Sequence, residues 1–161
     1  MTNKFIVASL LFLISSCYSR NPNNKEIPSM QLLMEDSSTI FDTKNINEGT
    51  PSILLYFSPD CEHCQREIED IIQNIQSFKS IKFYLITIDP LERLLVFDRH
   101  YSLSKTPNLI LGRDYEFSFC TNYPGAEPPY LVIFDRQRKQ RFIISGETNS
   151  KQILYYINKL R

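Results

Sequence analysis

The 161-residue sequence has no excess of charge of either sign, because its 18 basic residues match its 18 acidic residues. A nucleic-acid-binding protein usually shows a basic excess or a basic stripe, so the neutral balance argues against that class. Glycine is scarce, at four residues, which together with the lack of long polar runs argues against fibrous and disordered proteins. The four cysteines are too few for a disulfide-dense scaffold. Hydrophobic residues make up 42% of the chain, enough for the core of one ordinary domain.

The apolar run at residues 5–14 is too short to cross about 30 Å of hydrocarbon as a helix. Lys4 precedes it and small residues follow it, an arrangement typical of a secretory signal. The string LISSC, which ends at Cys17, resembles the lipobox of bacterial lipoproteins. In that family the signal is cut before the cysteine, and the cysteine thiol receives a diacylglycerol. The alternative is an ordinary signal peptide in which Cys17 is incidental.

Three segments are predicted along the chain. Residues 1–16 form the signal, residues 17–30 form a polar, proline-containing flexible tether, and residues 31–161 form one domain. The mature chain would be lipid-anchored in the cell envelope, facing the periplasm or sitting on the outer membrane. That space is extracytoplasmic and potentially oxidising.

The order of elements predicts an α/β fold. Apolar runs predict strands, and spacings of three and four predict helices. The order is strand, helix, strand, helix, then strand, strand, helix, which predicts a βαβ unit with a right-handed crossover, followed by a hairpin and a closing helix. A short apolar piece at 108–111 is expected to end in a turn at Gly112. The predicted strands are 52–57, 82–88, 130–134 and 141–145, and the predicted helices are 61–77, 91–101 and 149–160.

Two cysteines three residues apart lie where the first of these strands passes into its helix, in the string Cys61-Glu62-His63-Cys64. A helix N-terminus favours an anion, and the thiolate is the nucleophilic form of cysteine. Cys61 is therefore the candidate nucleophile. Cys64, one turn inside the helix and more buried, is the candidate resolving thiol. A protonated His63 would further stabilise the Cys61 thiolate, and Glu62 would oppose it.

The string LLYFSPDCEHC at residues 54–64, joined to a proline just before the strand YLVIFD, resembles the thioredoxin-like superfamily. The similarity is closest to the exported TlpA-like, or redoxin (AhpC-TSA-like), branch and covers roughly residues 42–160. It implies a central mixed β-sheet flanked by helices and a cis-proline beside the cysteine pair. About forty residues separate Asp89 from Pro128, which implies an insertion before the cis-proline strand. Spacing places the cis-proline at Pro129. If Pro128 were cis instead, Glu127 would pair with substrate.

The resemblance also implies residue roles. Cys61 would attack a substrate disulfide and Cys64 would resolve the mixed disulfide, with no bound cofactor. Glu67 matches an acidic residue that many TlpA-like reductases keep near the pair, where it is thought to handle protons; the alternative is a solvated glutamate in the first helical turn. Pro128 and Pro129 would contact substrate, although Pro128 has no N–H to offer an extended peptide. Leu55 stands where thioredoxins carry a buried aspartate, so Cys64 would need another proton acceptor.

The sequence thus predicts a membrane-anchored thiol–disulfide oxidoreductase acting on cysteine-containing envelope proteins, such as cytochrome maturation factors. It would need an upstream electron donor or acceptor and would bind no nucleic acid. The TlpA-like resemblance favours reduction, whereas His63 favours oxidation or isomerisation. The alternative is a thioredoxin-fold binding or assembly lipoprotein, in which the cysteine pair is a structural disulfide or delivers copper.

The remaining cysteine leaves two interpretations open. Cys120 is either a small, inert core residue or a third redox thiol that relays electrons from the cysteine pair. No metal site is predicted, because Cys61, His63 and Cys64 are too close in sequence to close a zinc site on their own. A peroxidatic site is also disfavoured, since Leu54 stands where peroxiredoxins need a proline.

Overall fold

The computed structural model describes residues 25–160. The predicted signal at 1–16, the predicted lipidation site Cys17 and the first part of the predicted tether lie outside the described residues. No helix within the described part of the chain is long and apolar enough to span a membrane.

Seven strands and four α-helices make up the domain. The strands are β1 Gln31–Met34, β2 Ile40–Asp42, β3 Ser52–Tyr56, β4 Lys82–Thr87, β5 Leu109–Asp114, β6 Tyr130–Phe134 and β7 Gln140–Ser145. The helices are α1 Glu62–Gln73, α2 Leu91–Tyr101, α3 Ser118–Asn122 and α4 Ser150–Asn158. The predicted helix at 61–77 is shorter than expected, because the α-helix ends at Gln73 and a 3₁₀ turn, Ile75–Phe78, follows.

The strands form one mixed sheet in the order β2-β1-β5-β4-β3-β6-β7. Strands β3, β4 and β5 run parallel to one another, while β6, β7 and the β1–β2 hairpin are antiparallel to their neighbours. The predicted βαβ half followed by a ββα half is confirmed. The carboxyl ends of the three parallel strands lie on the same side of the sheet. The segment that follows β3 places the cysteine pair on that side.

Strand β3 is buried on both faces. Ile53 and Leu55 point into one hydrophobic cluster, which also contains Ile68 of α1 and Ile153 of α4. Leu54 and Tyr56 point into a second cluster on the opposite face, with Phe119 among its members. The side-chain alternation of a strand separates the two clusters. Burial on both faces explains why the run 52–57 contains no polar alternation.

The stretch between Asp89 and Pro128 holds α2, β5 and α3, and β5 extends the parallel part of the sheet. The expected turn at Gly112 is wrong, because Gly112 lies within β5 and pairs with Met34 of β1. A Cβ atom at position 112 would lie 2.7 Å from the Cβ atom of Leu32, closer than real side-chain carbons approach. The glycine therefore permits β1 to pack against β5, and the β1–β2 hairpin that depends on this contact was not predicted.

Part of the predicted tether belongs to the domain. Ile27 is 4% exposed and Met30 is 1% exposed, and both pack in the cluster that contains Phe119. The backbone N–H of Ile27 donates to the Arg138 carbonyl at 3.3 Å, and the N–H of Met30 donates to Thr43 Oγ1 at 2.9 Å. The prediction of a flexible segment up to residue 30 is therefore wrong for residues 25–30. Two apolar side chains three positions apart cover the second face of the sheet.

We expect Met30→Ala to lower the free energy of unfolding by about 3 kcal/mol, because it empties a buried, packed position. Val96→Ala is the matched control: Val96 is 58% exposed, so its truncation should change stability by less than about 0.5 kcal/mol. Urea unfolding of both variants measures the difference. Equal, small effects would show that residues 25–30 are a tether after all.

Candidate active site

The cysteine pair sits where the chain leaves β3 and begins α1. Cys61 is the N-cap residue of the helix, and its Sγ atom accepts a hydrogen bond from the backbone N–H of Cys64 at 3.4 Å. Cys61 is half-buried, Cys64 is fully buried, and both are free thiols. At this position the free backbone N–H groups of the first helical turn point toward the sulfur, and the positive end of the helix dipole lies beside it. Both favour the thiolate over the thiol.

Cys64 has no comparable access to solvent. Its burial, reinforced by the neighbouring Cys61, raises the pKa of the Cys64 thiol far above its ordinary value. A backbone hydrogen bond from Ser58 opposes that rise without cancelling it. The two thiols are therefore unequal, with an accessible one at the helix cap and a strongly protonated one beneath it.

Glu67 lies one turn further along α1 and is 1% exposed, so the alternative of a solvated glutamate is wrong. Its Oε2 atom accepts the backbone N–H of Thr148 at 3.1 Å, while Oε1 has no hydrogen-bond partner among the described residues. Burial raises the pKa of this carboxyl to about 8, and the negative charges of Glu147 and Asp70 add to the rise. Glu67 also contributes to the raised pKa of Cys64, which places the two groups within electrostatic range.

His63 contacts two charged side chains on the exposed side of α1. Its Nδ1 atom lies 2.6 Å from Oε2 of Glu147, in the loop between β7 and α4, and 2.7 Å from Nη2 of Arg66. Its side chain is 65% exposed. The structure therefore places His63 against an anion on a neighbouring loop, and its effect on the Cys61 thiolate stays a prediction.

The peptide bond between Pro128 and Pro129 is cis, which agrees with the spacing that singled out Pro129 rather than Pro128. The Pro128 carbonyl oxygen lies 3.9 Å from Cys61 Sγ. The Pro129 carbonyl accepts the backbone N–H of Gly146 at 3.0 Å. The two prolines thus border the accessible thiol and are tied to the loop after β7.

A groove of about 440 Å³ lies beside the loop that precedes Cys61, which is not itself among the lining residues. The loop before the cysteine forms one wall and α2 forms the opposite wall, and an ion pair between Asp60 and Arg93 crosses from one to the other. The groove is lined by Pro59, Asp60, Gln65, Glu92, Arg93, Val96, Phe97, His100 and Tyr101.

Cys120 packs on the opposite face of the sheet from Cys64. It is half-buried, and its thiol donates to the Tyr56 hydroxyl at 3.6 Å. Its neighbours are the aromatic side chains of the second cluster, including Phe119. The geometry fits a packed thiol rather than a third member of the pair.

The loop between β7 and α4 was missed from the sequence, and so was Arg66. Gly146, Glu147 and Thr148 are consecutive, yet they contact the cis-proline, His63 and Glu67 respectively. Only the position of Arg66, three residues after His63 on one helix face, could have hinted at the cluster. Across residues 25–160, no group of three or more histidine, cysteine or acidic side chains is arranged to hold a metal ion.

Comparison with known proteins shows the fold. No protein-family model matches the chain, and no curated protein shows significant sequence similarity to it. Among solved structures, DsbF of Mycobacterium tuberculosis matches with a TM-score of 0.69 at 17% identity, over 81% of this chain and 94% of that one. A secreted disulfide oxidoreductase of Mycobacterium tuberculosis homologous to DsbE matches with a TM-score of 0.67 at 15% identity, over 80% and 94%. A peroxiredoxin-like protein of Aquifex aeolicus matches with a TM-score of 0.69 at 12% identity, over 86% of each chain.

The chain therefore has the thioredoxin-like fold of the redoxin proteins, as the motif predicted. One of these neighbours is described as a disulfide oxidoreductase. At these identities the likeness establishes the fold alone, and the chemistry has to be argued from the site.

The raised pKa of Glu67 should make the stability of the folded protein depend on pH. In the folded protein Glu67 keeps its proton up to about pH 8, whereas in the unfolded chain it loses it near 4.5. The folded state then binds more protons between these values, so the Glu67 contribution to stability falls as pH rises through that window. The difference in free energy of unfolding between Glu67→Gln and the wild type should therefore change in favour of the variant, by on the order of 3 kcal/mol from about pH 5 to about pH 8.

Urea unfolding of the reduced proteins at several pH values measures this difference. Every other titrating group is common to the two proteins, so the difference isolates Glu67. A constant offset across the window would contradict a buried, protonated Glu67.

Proposed function

We propose that this protein is a thiol–disulfide oxidoreductase whose Cys61–Cys64 pair reduces disulfides in other proteins. The observation that carries the proposal is the inequality of the two thiols: Cys61 is accessible at the helix cap, and Cys64 is buried one turn below. That arrangement separates a nucleophile from a resolving group, as a two-step exchange requires.

The thiol–disulfide exchange takes place in two steps. The Cys61 thiolate attacks one sulfur of a substrate disulfide, so that a Cys61–substrate disulfide forms and the other substrate sulfur leaves as a thiolate and takes up a proton. Cys64 then loses its proton and attacks Cys61 Sγ, which forms the Cys61–Cys64 disulfide and expels the second substrate sulfur. Two electrons pass from the pair to the substrate disulfide, and a donor dithiol must later return them.

Glu67 supports the second step in this proposal. Cys64 holds its proton strongly because it is buried, and the aspartate that thioredoxins carry is replaced by Leu55. A carboxyl group whose pKa is raised to about 8 exchanges protons near neutral pH, where a general base is most effective. When Glu67 is ionised, its unpartnered Oε1 atom can receive the Cys64 proton, directly or through one water molecule.

The surroundings of Cys61 suggest how a polypeptide is held. The Pro128 carbonyl beside the thiol can accept a hydrogen bond from the substrate backbone, while Pro128 has no N–H to return. The groove between the Cys61 loop and α2 offers space for side chains that flank the substrate cysteine. A one-sided backbone contact and a groove favour substrates that are recognised by shape over long extended peptides.

The contacts of His63 favour reduction as the direction. A histidine that stabilises the thiolate makes a couple more oxidising, because the reduced form is the one stabilised. Here His63 is engaged by Glu147 and Arg66. The couple is therefore expected to lie near the thioredoxin value of about −270 mV and far from the DsbA value of about −120 mV.

We also propose that the protein works in the cell envelope, held to the membrane by lipid on Cys17. The lipobox-like string LISSC supports this, and one structural neighbour is described as secreted. Its partners would be envelope proteins with cysteines and a membrane-side electron donor. Two or three acyl chains suffice for stable anchoring, because each buried CH₂ contributes about 0.8 kcal/mol.

Reduction of insulin disulfides by dithiothreitol tests the redox activity. We expect the wild type to accelerate it, Cys61→Ser to abolish the acceleration, and Cys64→Ala to accumulate a Cys61–insulin mixed disulfide. Cys120→Ser is the matched control and should retain full activity, because Cys120 packs on the other face of the sheet. Activity that survives Cys61→Ser would refute the proposal, and a measured potential near −120 mV would reverse its direction.

Lipidation is tested by expressing the full chain in a bacterial host with labelled palmitate. We expect label on the wild type and recovery of the protein with membranes, and neither for Cys17→Ser. Cys120→Ser again serves as control and should remain labelled. Label that persists on Cys17→Ser would contradict the anchor.

A further inference from the structure

The loop that joins β7 to α4 contacts the cis-proline, the charged side chains on the exposed side of α1 and the buried Glu67. The N–H of Gly146 bonds to the Pro129 carbonyl, and the N–H of Thr148 bonds to Oε2 of Glu67. Glu147 stands between these two anchored residues. Its backbone is therefore fixed on both sides by hydrogen bonds that do not involve its own side chain, and its carboxylate is presented to α1.

The Glu147 carboxylate makes three close contacts on the exposed side of α1. Its Oε1 atom accepts from Arg66 Nε at 3.0 Å, and its Oε2 atom accepts from Arg66 Nη2 at 2.7 Å. This is a two-point contact of the kind that fixes geometry as well as charge. Oε2 also lies 2.6 Å from Nδ1 of His63. We call these three side chains the Glu147 cluster.

The cluster is better suited to orienting a side chain than to stabilising the fold. Arg66 is half-exposed and His63 is more so, and exposed ion pairs contribute between zero and about 1 kcal/mol. Arg66 and His63 together lower the pKa of Glu147 to about 2, so the carboxylate is charged at any pH where the protein works. A permanently charged acceptor holds the His63 ring at one place.

That place matters because His63 is two residues from Cys61 on the same helical turn. Arg66 is also within range of the sulfur, since the charge of the Cys61 thiolate helps to raise the Arg66 pKa. An imidazole released from Glu147 could turn to donate a hydrogen bond to the thiolate. Such a bond stabilises the reduced pair and makes the couple more oxidising.

We propose that Glu147 is a positioning residue that keeps His63 away from the Cys61 thiolate and thereby keeps the Cys61–Cys64 pair reducing. The proposal rests on the proposed redox function. Glu147 touches neither sulfur in this account. It acts only through His63, with Arg66 fixing the carboxylate that holds the ring.

Other charged groups also face this part of the protein, and the test leaves them in place. On α1 they are Glu62, whose Oε2 lies 4.0 Å from Arg66 Nη1, and the buried Glu67. Asp60, next to Cys61, is paired with Arg93 of α2. The remaining groups that interact with the site electrostatically are Cys64 and Asp70.

The test is Glu147→Gln in the full chain, read as the rate of Cys61 alkylation by iodoacetamide against pH. Alkylation is followed at the Cys61 peptide by mass spectrometry, so the other cysteines do not interfere. We expect the midpoint of the profile to fall by roughly half to one pH unit. The equilibrium of the pair with glutathione should shift three- to tenfold toward the dithiol. Circular dichroism should show a folded protein, because the hydrogen bonds donated by the Gly146 and Thr148 N–H groups do not involve the Glu147 side chain.

Two further variants separate release of His63 from simple loss of a negative charge. Glu62→Gln removes a carboxylate that is adjacent to Cys61 in sequence and is not hydrogen-bonded to the His63 ring. It therefore measures the effect of removing a negative charge alone. Glu147→Gln is also made in a His63→Gln background. We expect the Glu147→Gln shift to exceed the Glu62→Gln shift and to fall by more than half when His63 is absent.

Two outcomes would overturn the inference: a Glu147→Gln shift no larger than that of Glu62→Gln, or a shift that persists in full without His63. Either outcome is compatible with normal insulin reduction by the wild type. In that case only the role proposed for Glu147 is refuted. The alkylation profile does not depend on catalytic turnover. Failure of the wild type to reduce insulin would therefore refute the proposed redox function without bearing on the alkylation result.

Discussion

The site depends on one constraint, which is that helix α1 follows a fully buried strand, β3, after a segment of only five residues. Because β3 is covered on both faces, the chain leaves it at a fixed point on the sheet edge, and Cys61 becomes the cap of the helix. The same turn that exposes Cys61 to solvent and to the helix N-terminus carries Cys64 into the core. The chemical difference between two identical side chains therefore comes first from the burial that the packing of α1 imposes on Cys64, and neighbouring groups add to it.

Burial along α1 also produces the second feature of the site, an acid that holds its proton. Cys64, Glu67 and Ile71 lie on the inward face of the helix, and Glu67 is the one carboxyl in that row. The Thr148 N–H satisfies one of its oxygens, so the group is held in place without being neutralised by a cation. The outward face carries Arg66 and His63, which meet Glu147 instead. One helix thus separates a buried side, which carries the carboxyl of raised pKa, from a charged, solvent-facing side.

The sequence was sufficient for the parts of this arrangement that depend on local pattern. The apolar runs at β3 and β6, the helical spacing of α1 and the position of the proline before β6 led to the fold and to the cysteine pair. It was not sufficient where distant segments meet. Gly112 looked like a turn because only its contact with Leu32 shows why a side chain is excluded there. Residues 25–30 looked like a tether because burial of Met30 depends on a surface made elsewhere in the chain.

The same limit explains why the partners of His63 were not predicted, and it bears on how such motifs are interpreted. Adjacency to a reactive cysteine suggested an electrostatic role, but a side chain at a helix N-terminus can turn toward several partners. Which one it meets is set by a loop 84 residues away in sequence. On the role proposed for Glu147, the effect of a residue between two cysteines depends on the loop that faces it. Two proteins with identical motifs would then differ in potential wherever that loop presents an anion in one and none in the other.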